Sequence, residues 1–182
     1  LVNLIVELPI VLPPAVAGLA LLVTFGRRGF LGPVLDDLGI NIVFTTTAVI
    51  IAQTFVAAPF YIRAAHIGFS EIPSEVEDAA RVDGAGTWAV FRFMTLPLAR
   101  RALIAGGILS WTRALGEFGA TILFAGSLPG ITQTMPLLVY NVLERDLSAA
   151  LWAGVLLVVV AMIALVFART LLQQSHDEPL NY

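Results

Sequence analysis

The chain has 182 residues, of which 58% are hydrophobic and only 13% are charged, and its formal net charge is −3. Soluble domains are about 45–50% apolar and about 25% charged, so this composition excludes an ordinary soluble globular domain. The small net charge does not indicate a nucleic-acid partner. The chain has no cysteine, which excludes disulfides and thiolate metal sites, and its two histidines lie far apart in sequence and indicate no metal site.

Uncharged runs predict the membrane-spanning helices, since a helix needs about 20 apolar residues to cross the hydrocarbon core. Four spans are predicted, at about 8–26, 38–62, 102–125 and 147–168. The first holds three prolines, so it enters the membrane bent or begins after Pro14. The predicted fold is therefore all-α, a single polytopic membrane domain over residues 1–182.

A turn signal interrupts the uncharged run 118–143, where the sequence reads Gly126-Ser127-Leu128-Pro129-Gly130. The third span is therefore predicted to end before this turn. That span then contains two charged residues, Arg113 and Glu117. The segment 135–143 after the turn is too short to cross a bilayer. It is predicted to be an interfacial or re-entrant helix opened by Pro136.

Arginine placement predicts the orientation of the chain in the membrane. Five arginines lie within 63–101 and Arg169 lies in the tail, against three on the opposite side. This excess predicts that the segment 63–101 and the C-terminus are cytoplasmic. Because the chain begins at Leu1 and no basic segment precedes its first apolar stretch, we expect the N-terminal part of a longer protein to be missing.

A polar segment at 70–98 separates the second and third predicted spans. Ser74 and Glu77 have the spacing of a capping box, acidic residues fill the first turn, and Gly84 is a natural stop. These signals predict a short helix over 74–83 on the cytoplasmic surface, followed by a second helical stretch at 87–95. The first helix is either a solvated connector or a helix that binds a partner.

Arg113 and Glu117 lie inside the third predicted span, where each ionisable residue costs at least about 2.5–3.5 kcal/mol. Their spacing of four places them on one helical face, where they can pair. Gly116 and Gly119 are small enough to let another helix approach closely. Three interpretations stay open: a buried ion pair that fixes packing, an anion path or gate lined by Arg113, or a helix end close to water.

The pattern E-x-A-A-x-x-D-G-A, followed by L-P-L, resembles the cytoplasmic "EAA" loop of ABC-importer permeases and covers residues 77–98. Asp78 stands where that motif has its glutamate. In that family the loop forms a coupling helix that docks on the ATP-hydrolysing subunit. The resemblance assigns ATPase coupling to Glu77, Asp78, Ala79, Ala80, Asp83, Gly84, Ala85, Leu96 and Pro97.

The string R-A-L-G-E-F-G-A-T-I-L-F-A-G, from Arg113 onward, resembles permeases for molybdate, tungstate and sulfate, as do segments 8–18, 25–29 and 132–137. The Ala-Thr after Gly119 and the Phe-Ala-Gly at 124–126 favour the molybdate and tungstate branch. A translocation path or gate would then include Arg113, Gly116, Glu117, Gly119 and Thr121.

The resemblance implies the type I ABC importer permease fold, with about four spans and a coupling helix present and the first spans missing. It further implies a non-enzymatic subunit of the cell membrane that moves an oxyanion, most simply molybdate or tungstate. Its implied partners are a second copy, two ABC ATPase subunits that use ATP and Mg, an extracytoplasmic oxyanion-binding protein and membrane lipid; the chain itself would bind no cofactor. The alternatives are a sulfate or thiosulfate permease and, more remotely, a channel or a membrane-embedded enzyme.

Overall fold

The computed structural model describes the backbone of residues 2–174 and the side-chain surroundings at 6–167 and 170. Over that part of the chain the structure consists of helices and turns, without strands, so the all-α prediction is confirmed. The helices are α1 (Val2–Val11), α2 (Pro14–Phe25), α3 (Gly32–Asp37), α4 (Thr46–Ser70), α5 (Ser74–Val82), α6 (Thr87–Val90), a π-helical turn (Phe91–Thr95), α7 (Leu96–Leu115), α8 (Gly119–Phe124), α9 (Met135–Leu143) and α10 (Leu147–Gln174). The predicted cytoplasmic C-terminus, from residue 175 on, and the side chain of Arg169 lie outside the described residues.

The described residues form two compact units, one of residues 2–59 with 111–163 and the other of residues 60–110 with 164–174. Among the described helices, α4 and the Leu147–Phe167 part of α10 are long and apolar enough to cross a membrane, judged by length and composition. The predicted span 147–168 therefore lies within one continuous helix.

The first predicted span, 8–26, is divided by a break between α1 and α2. The helix α1 ends at Val11, and α2 begins at Pro14 after Pro13, which has an extended conformation. A proline suits the first helical position because its missing N–H has no partner there in any case. The helix α2 thus begins at Pro14 itself, and the prolines separate it from α1.

The second predicted span, 38–62, begins and ends too early. Phe44 has a left-handed φ of 61°, which keeps the preceding residues out of the helix. The hydroxyl of Thr45 accepts the Ala48 N–H at 3.4 Å, and α4 starts at Thr46. The helix continues past Arg63 to Ser70, because a charged residue ends an apolar run without ending a helix.

The third predicted span, 102–125, is not one helix. The helix α7 ends at Leu115, and α8 is a separate helix of 6 residues that begins at Gly119. Glycine is a poor helix former, and Gly116 stands at the break. The carboxylate of Glu117 accepts the backbone N–H of Ala120 at 2.8 Å, and so satisfies a donor at the start of the new helix.

Two local predictions in the first unit are confirmed. The short helix opened by Pro136 is α9, Met135–Leu143. The turn before it has Gly126 and Gly130 at φ values of 71° and 76°, a left-handed conformation that glycine adopts without steric cost.

The core of the first unit lies where α2 packs on α8. Ala17, Leu21 and Phe124 are buried there. A Cβ on Gly18 would lie 2.6 Å from the carbonyl oxygen of Ala120, so the two backbones nearly touch. This contact holds the break that follows α7 close against α2 and fixes the position of Glu117.

Candidate functional site

The described residues contain two candidate sites, one in each unit. The first is the polar helix α5 of the second unit. Its range, Ser74–Val82, confirms the predicted helix to within one residue at the C-terminal end. The predicted capping box is wrong: Pro73 is the N-cap, Ser74 is the first helical residue, and no side chain caps the N-terminus. The carboxylate of Glu77 is bound to other side chains and does not reach back.

The C-terminus of α5 has the hydrogen bonds of a Schellman motif. The Ala85 N–H donates to the Ala80 carbonyl at 3.0 Å, and the Gly84 N–H donates to the Arg81 carbonyl at 3.1 Å. Gly84 has φ +88°, and no atom lies within 4 Å of a Cβ placed on it. The backbone conformation, and not lack of space, therefore requires glycine at this position.

The exposed face of α5 contains only part of the set assigned to ATPase coupling. Asp78 has 67% of its side chain exposed. Ala79, Asp83 and Gly84 are also exposed, whereas Ala85 is half-buried and Ala80 is buried. Ala80 thus contributes packing beneath the helix rather than surface, because its methyl group lies on the inner face.

Glu77 lies on the inner side of α5, with 28% of its side chain exposed. Its Oε1 accepts a hydrogen bond of 2.7 Å from the Thr95 hydroxyl, 18 residues further on. Its Oε2 lies 3.0 Å from an Arg81 guanidinium nitrogen, and a second guanidinium nitrogen lies 2.8 Å from Asp78. Sequence reasoning missed Thr95 because nothing in the helical spacing relates it to Glu77.

Leu96 and Pro97 lie at the start of α7, directly after the π-helical turn Phe91–Thr95. Pro97 has no N–H to donate to the carbonyl four residues before it, and its ring crowds that carbonyl. The Leu96 N–H instead donates to the carbonyl of Phe91, five residues back. The Leu-Pro pair thus produces a local change of helical register and not a helix break.

Apolar side chains extend the exposed surface next to α5. Val82, the last residue of α5, is 87% exposed, and Trp88 and Phe93 are largely exposed as well. Exposed large apolar groups near a polar helix indicate a surface that meets another protein or lipid. The signal for Val82 is present in the sequence, as an apolar residue at the end of a helix made mostly of polar residues and alanine.

The second candidate site is the charged pair of the first unit. Arg113 Nη2 lies 2.7 Å from Glu117 Oε2, with the glutamate side chain 1% exposed and the arginine 27% exposed. The predicted pairing is observed, although Glu117 lies beyond the end of α7 and not within one helix. The second carboxylate oxygen binds the Ala120 N–H, so the buried charge has two partners.

The small residues beside the pair differ in their surroundings. A Cβ on Gly119 would lie 3.0 Å from Pro14, so this glycine allows the predicted close approach of another helix. Gly116 is exposed, and a Cβ placed on it would lie 4.0 Å from the Thr112 carbonyl oxygen, an ordinary van der Waals distance. Thr121 is fully buried, and its hydroxyl has no hydrogen-bond partner among the described residues.

The end of α7 receives support from α4 as well. Gln53 Nε2 donates to the Ala114 carbonyl at 3.2 Å. This carbonyl also accepts the Glu117 N–H at 3.1 Å, so Gln53 is its second donor. Gln53 joins the group around Arg113 and Glu117, and sequence reasoning did not find it.

Comparison with known proteins assigns the chain to a family. Residues 1–177 match the family described as "Binding-protein-dependent transport system inner membrane component". A "Putative molybdenum transport system permease protein YvgM" of Bacillus subtilis is 43% identical over 161 residues, which are 88% of this chain and 71% of that protein. ModB of Escherichia coli K12, a molybdenum transport system permease protein, is 38% identical over 180 residues, 97% of this chain and 79% of that protein.

Another relative, the "Probable transport system permease protein NifC" of Clostridium pasteurianum, is 40% identical over 169 residues. This match covers 93% of the present chain but only 59% of NifC, so the chain spans about three fifths of that relative.

Solved structures agree with this assignment. The chain superimposes with a TM-score of 0.71 on a chain of the MetNI methionine ABC transporter in an inward-facing conformation, at 20% identity, covering 94% of this chain and 72% of that one. A bacterial ABC transporter that imports alginate gives 0.72 at 20% identity, covering 95% and 65%. At this identity the likeness establishes the fold, which is that of type I ABC importer permeases. The chain belongs to the family of binding-protein-dependent transport system inner membrane components.

Proposed function

We propose that this chain forms the translocating core of a permease subunit that imports molybdate, or tungstate, at the expense of ATP hydrolysed by a separate subunit. The observation that carries the proposal is the series of relatives named as molybdenum permeases at 38–43% identity. Sulfate is the second candidate cargo, because the sulfate permease protein CysW of Synechococcus elongatus is 39% identical over 172 residues.

The proposed assembly contains two copies of the permease, two ATPase subunits that use ATP and Mg, and an extracytoplasmic protein that delivers the oxyanion. The family description names a binding-protein-dependent system. One structural neighbour is an alginate ABC transporter in complex with a pentasaccharide-bound periplasmic protein, and it shares this fold with a TM-score of 0.69 at 21% identity, covering 92% of this chain and 62% of that one. In this proposal the segment 70–98 faces the cytoplasm and the permease has no catalytic role of its own.

The docking surface in this proposal is the outer face of α5. It comprises the exposed Asp78, Ala79, Asp83 and Gly84, extended by Val82. This surface combines charge, small residues that allow close approach, and one large apolar side chain. ATP binding would draw the two docking helices together and turn the path outward, as a rigid-body motion of helices.

The pair Arg113 and Glu117 is proposed to lie beside the path. Arg113 is about one quarter exposed, so its guanidinium is accessible to a dianion while Glu117 limits how strongly it holds that anion. A path must bind its cargo weakly enough to release it. Thr121, in the adjacent helix α8, is fully buried, and its hydroxyl has no hydrogen-bond partner among the described residues, so it would donate to the anion only when a conformational change opens the path.

Substitution of Gly84 by valine tests the docking role. The left-handed conformation costs about 1–2 kcal/mol for a residue with a side chain, so the Schellman turn is expected to open and the outer face of α5 to change shape. If binding of the ATPase requires the original turn, this free energy is subtracted from binding, and the ATPase binds about 5- to 30-fold more weakly. The measurement is co-purification of the ATPase with the full-length permease, followed by a titration of the ATPase.

Gly86→Ala is the matched control. Gly86 is in the same turn but has φ −69°, and a Cβ there meets no atom within 4 Å. This variant is expected to bind the ATPase as the wild type does. If Gly84→Val also retains wild-type binding and transport, α5 is not the docking helix.

A further inference from the structure

We propose that Thr95 is a positioning residue that connects the docking helix α5 to the first residues of α7 through the carboxylate of Glu77. The inference deepens the proposed function and rests on it, because it concerns how motion of α5 reaches the helix that follows. The connection is the 2.7 Å hydrogen bond from the Thr95 hydroxyl to Glu77 Oε1. Thr95 has no role in the EAA-type pattern, which specifies the loop and the Leu-Pro pair only.

The backbone between α5 and α6 is poorly suited to transmit force. It contains Gly84 in a left-handed conformation and Gly86 in an extended one, each with open space around it. Glycine has the greatest backbone freedom of any residue. The side-chain bond bypasses this turn and joins the two elements directly.

The receiving end of the bond is the π-helical turn. Thr95 is its last residue and is followed at once by Leu96 and Pro97, with which α7 begins. A π-helix is rare and occurs mostly as a single turn within an α-helix, frequently at a functional site. Because Pro97 supplies no backbone hydrogen bond, the side chain of Thr95 is well placed to hold the turn in one arrangement.

The two acidic residues of α5 therefore have different roles. Asp78 is two-thirds exposed and available to the ATPase, whereas Glu77 is mostly covered and points to Thr95. Arg81 contacts both carboxylates and keeps Glu77 in the orientation that accepts the Thr95 hydroxyl. Loss of docking and loss of transmission should thus be separable by substitution.

The first test compares Thr95→Val with Thr95→Ser in the full-length permease reconstituted with its ATPase and binding protein. Valine keeps the shape and removes the donor, whereas serine keeps the donor. We expect Thr95→Val to bind the ATPase normally but to move at least fivefold less molybdate per ATP hydrolysed. Thr95→Ser should move as much molybdate per ATP as the wild type. Glu77→Ala should also lower the amount of molybdate moved per ATP hydrolysed, and the double variant Glu77→Ala/Thr95→Val should move no less per ATP than Glu77→Ala alone.

The second test does not depend on transport. These 182 residues contain no cysteine, so in a full-length permease freed of any other cysteine, spin labels can be attached at Glu75→Cys and Leu98→Cys, both exposed and on either side of the bond. The distance distribution should be narrow in the wild type and with Thr95→Ser, and broad with Thr95→Val. If wild type moves no molybdate with ATP, the proposed function fails while this measurement still decides on the connection.

Two results would overturn the inference. One is a Thr95→Val variant that moves molybdate per ATP hydrolysed within twofold of wild type and in which the distribution of distances between the spin labels is unchanged. The other is a Thr95→Val variant that loses ATPase binding in parallel with uptake, since Thr95 would then belong to the docking surface. Asp78→Ala is the control for that second outcome, as it is expected to weaken ATPase binding and leave the distance distribution narrow.

Discussion

Replacement of Arg113 by glutamine is expected to lower the free energy of unfolding by about 3–5 kcal/mol, because it leaves the Glu117 carboxylate buried without its charged partner. Glu117 is 1% exposed, and its other partner among the described residues is the Ala120 N–H. Glutamine can donate a hydrogen bond to the carboxylate but cannot neutralise its charge. The measurement is thermal unfolding of the detergent-solubilised full-length protein.

Glu117→Gln is expected to cost clearly less. The neutral amide oxygen can still accept the Ala120 N–H, and Arg113 is exposed enough to be solvated. The order of stability should therefore be wild type, then Glu117→Gln, then Arg113→Gln. Equal stability of Arg113→Gln and wild type would show that the buried carboxylate does not depend on the arginine.

The double variant Arg113→Gln/Glu117→Gln separates the structural role from the path role. It removes both charges and leaves neither unpaired, so we expect it to be more stable than Arg113→Gln. If the folded double variant imports molybdate at the wild-type rate, the pair only fixes packing. If it folds and binds the ATPase but imports at least tenfold more slowly, the arginine acts on the anion.

The second large effect is expected from Gly18→Ala, at about 1–3 kcal/mol of lost stability. The added methyl carbon would lie 2.6 Å from the Ala120 carbonyl oxygen and 2.7 Å from its Cα, both backbone atoms. The clash can be relieved only by separating α2 from α8. That movement also strains the Ala120 N–H bond to Glu117, so the loss extends to the candidate path.

Gly154→Ala is the matched control, because Gly154 is also a helical glycine but a Cβ placed on it would meet no atom of a neighbouring element within 4 Å. Alanine is a better helix former by about 1 kcal/mol, so this variant should be neutral or slightly stabilised. The two variants are compared by thermal unfolding in the same detergent. Similar stabilities would contradict the close packing of α2 on α8.

The sequence predicted local structure well wherever neighbouring residues decide it. Gly84 marks the end of α5 because a left-handed residue is needed there, and Pro136 marks the start of α9. Hydropathy predicted the helix ends less well. It cannot detect that Phe44 adopts a left-handed conformation or that α4 continues past Arg63, because lipid exposure and helix formation are separate properties.

The side-chain partners in the candidate sites depend on contacts between distant residues. The spacing of Arg113 and Glu117 predicted their pairing, but the break in the helix depends on the bond from Ala120 to the carboxylate and on the contact of Ala120 with Gly18. In α5, the spacing predicted that Glu77 would cap the helix. In the structure the carboxylate of Glu77 instead accepts a hydrogen bond from Thr95, a tertiary contact that helical spacing does not predict.

Reconstituted uptake tests the central claim most directly. The full-length permease, its ATPase and its binding protein are placed in proteoliposomes, and uptake of labelled molybdate is measured with tungstate or sulfate in excess. We predict that uptake requires ATP, that tungstate abolishes it, and that the same concentration of sulfate has little effect. Uptake that proceeds equally without ATP, or that sulfate inhibits as strongly as tungstate, would contradict an ATP-driven molybdate importer.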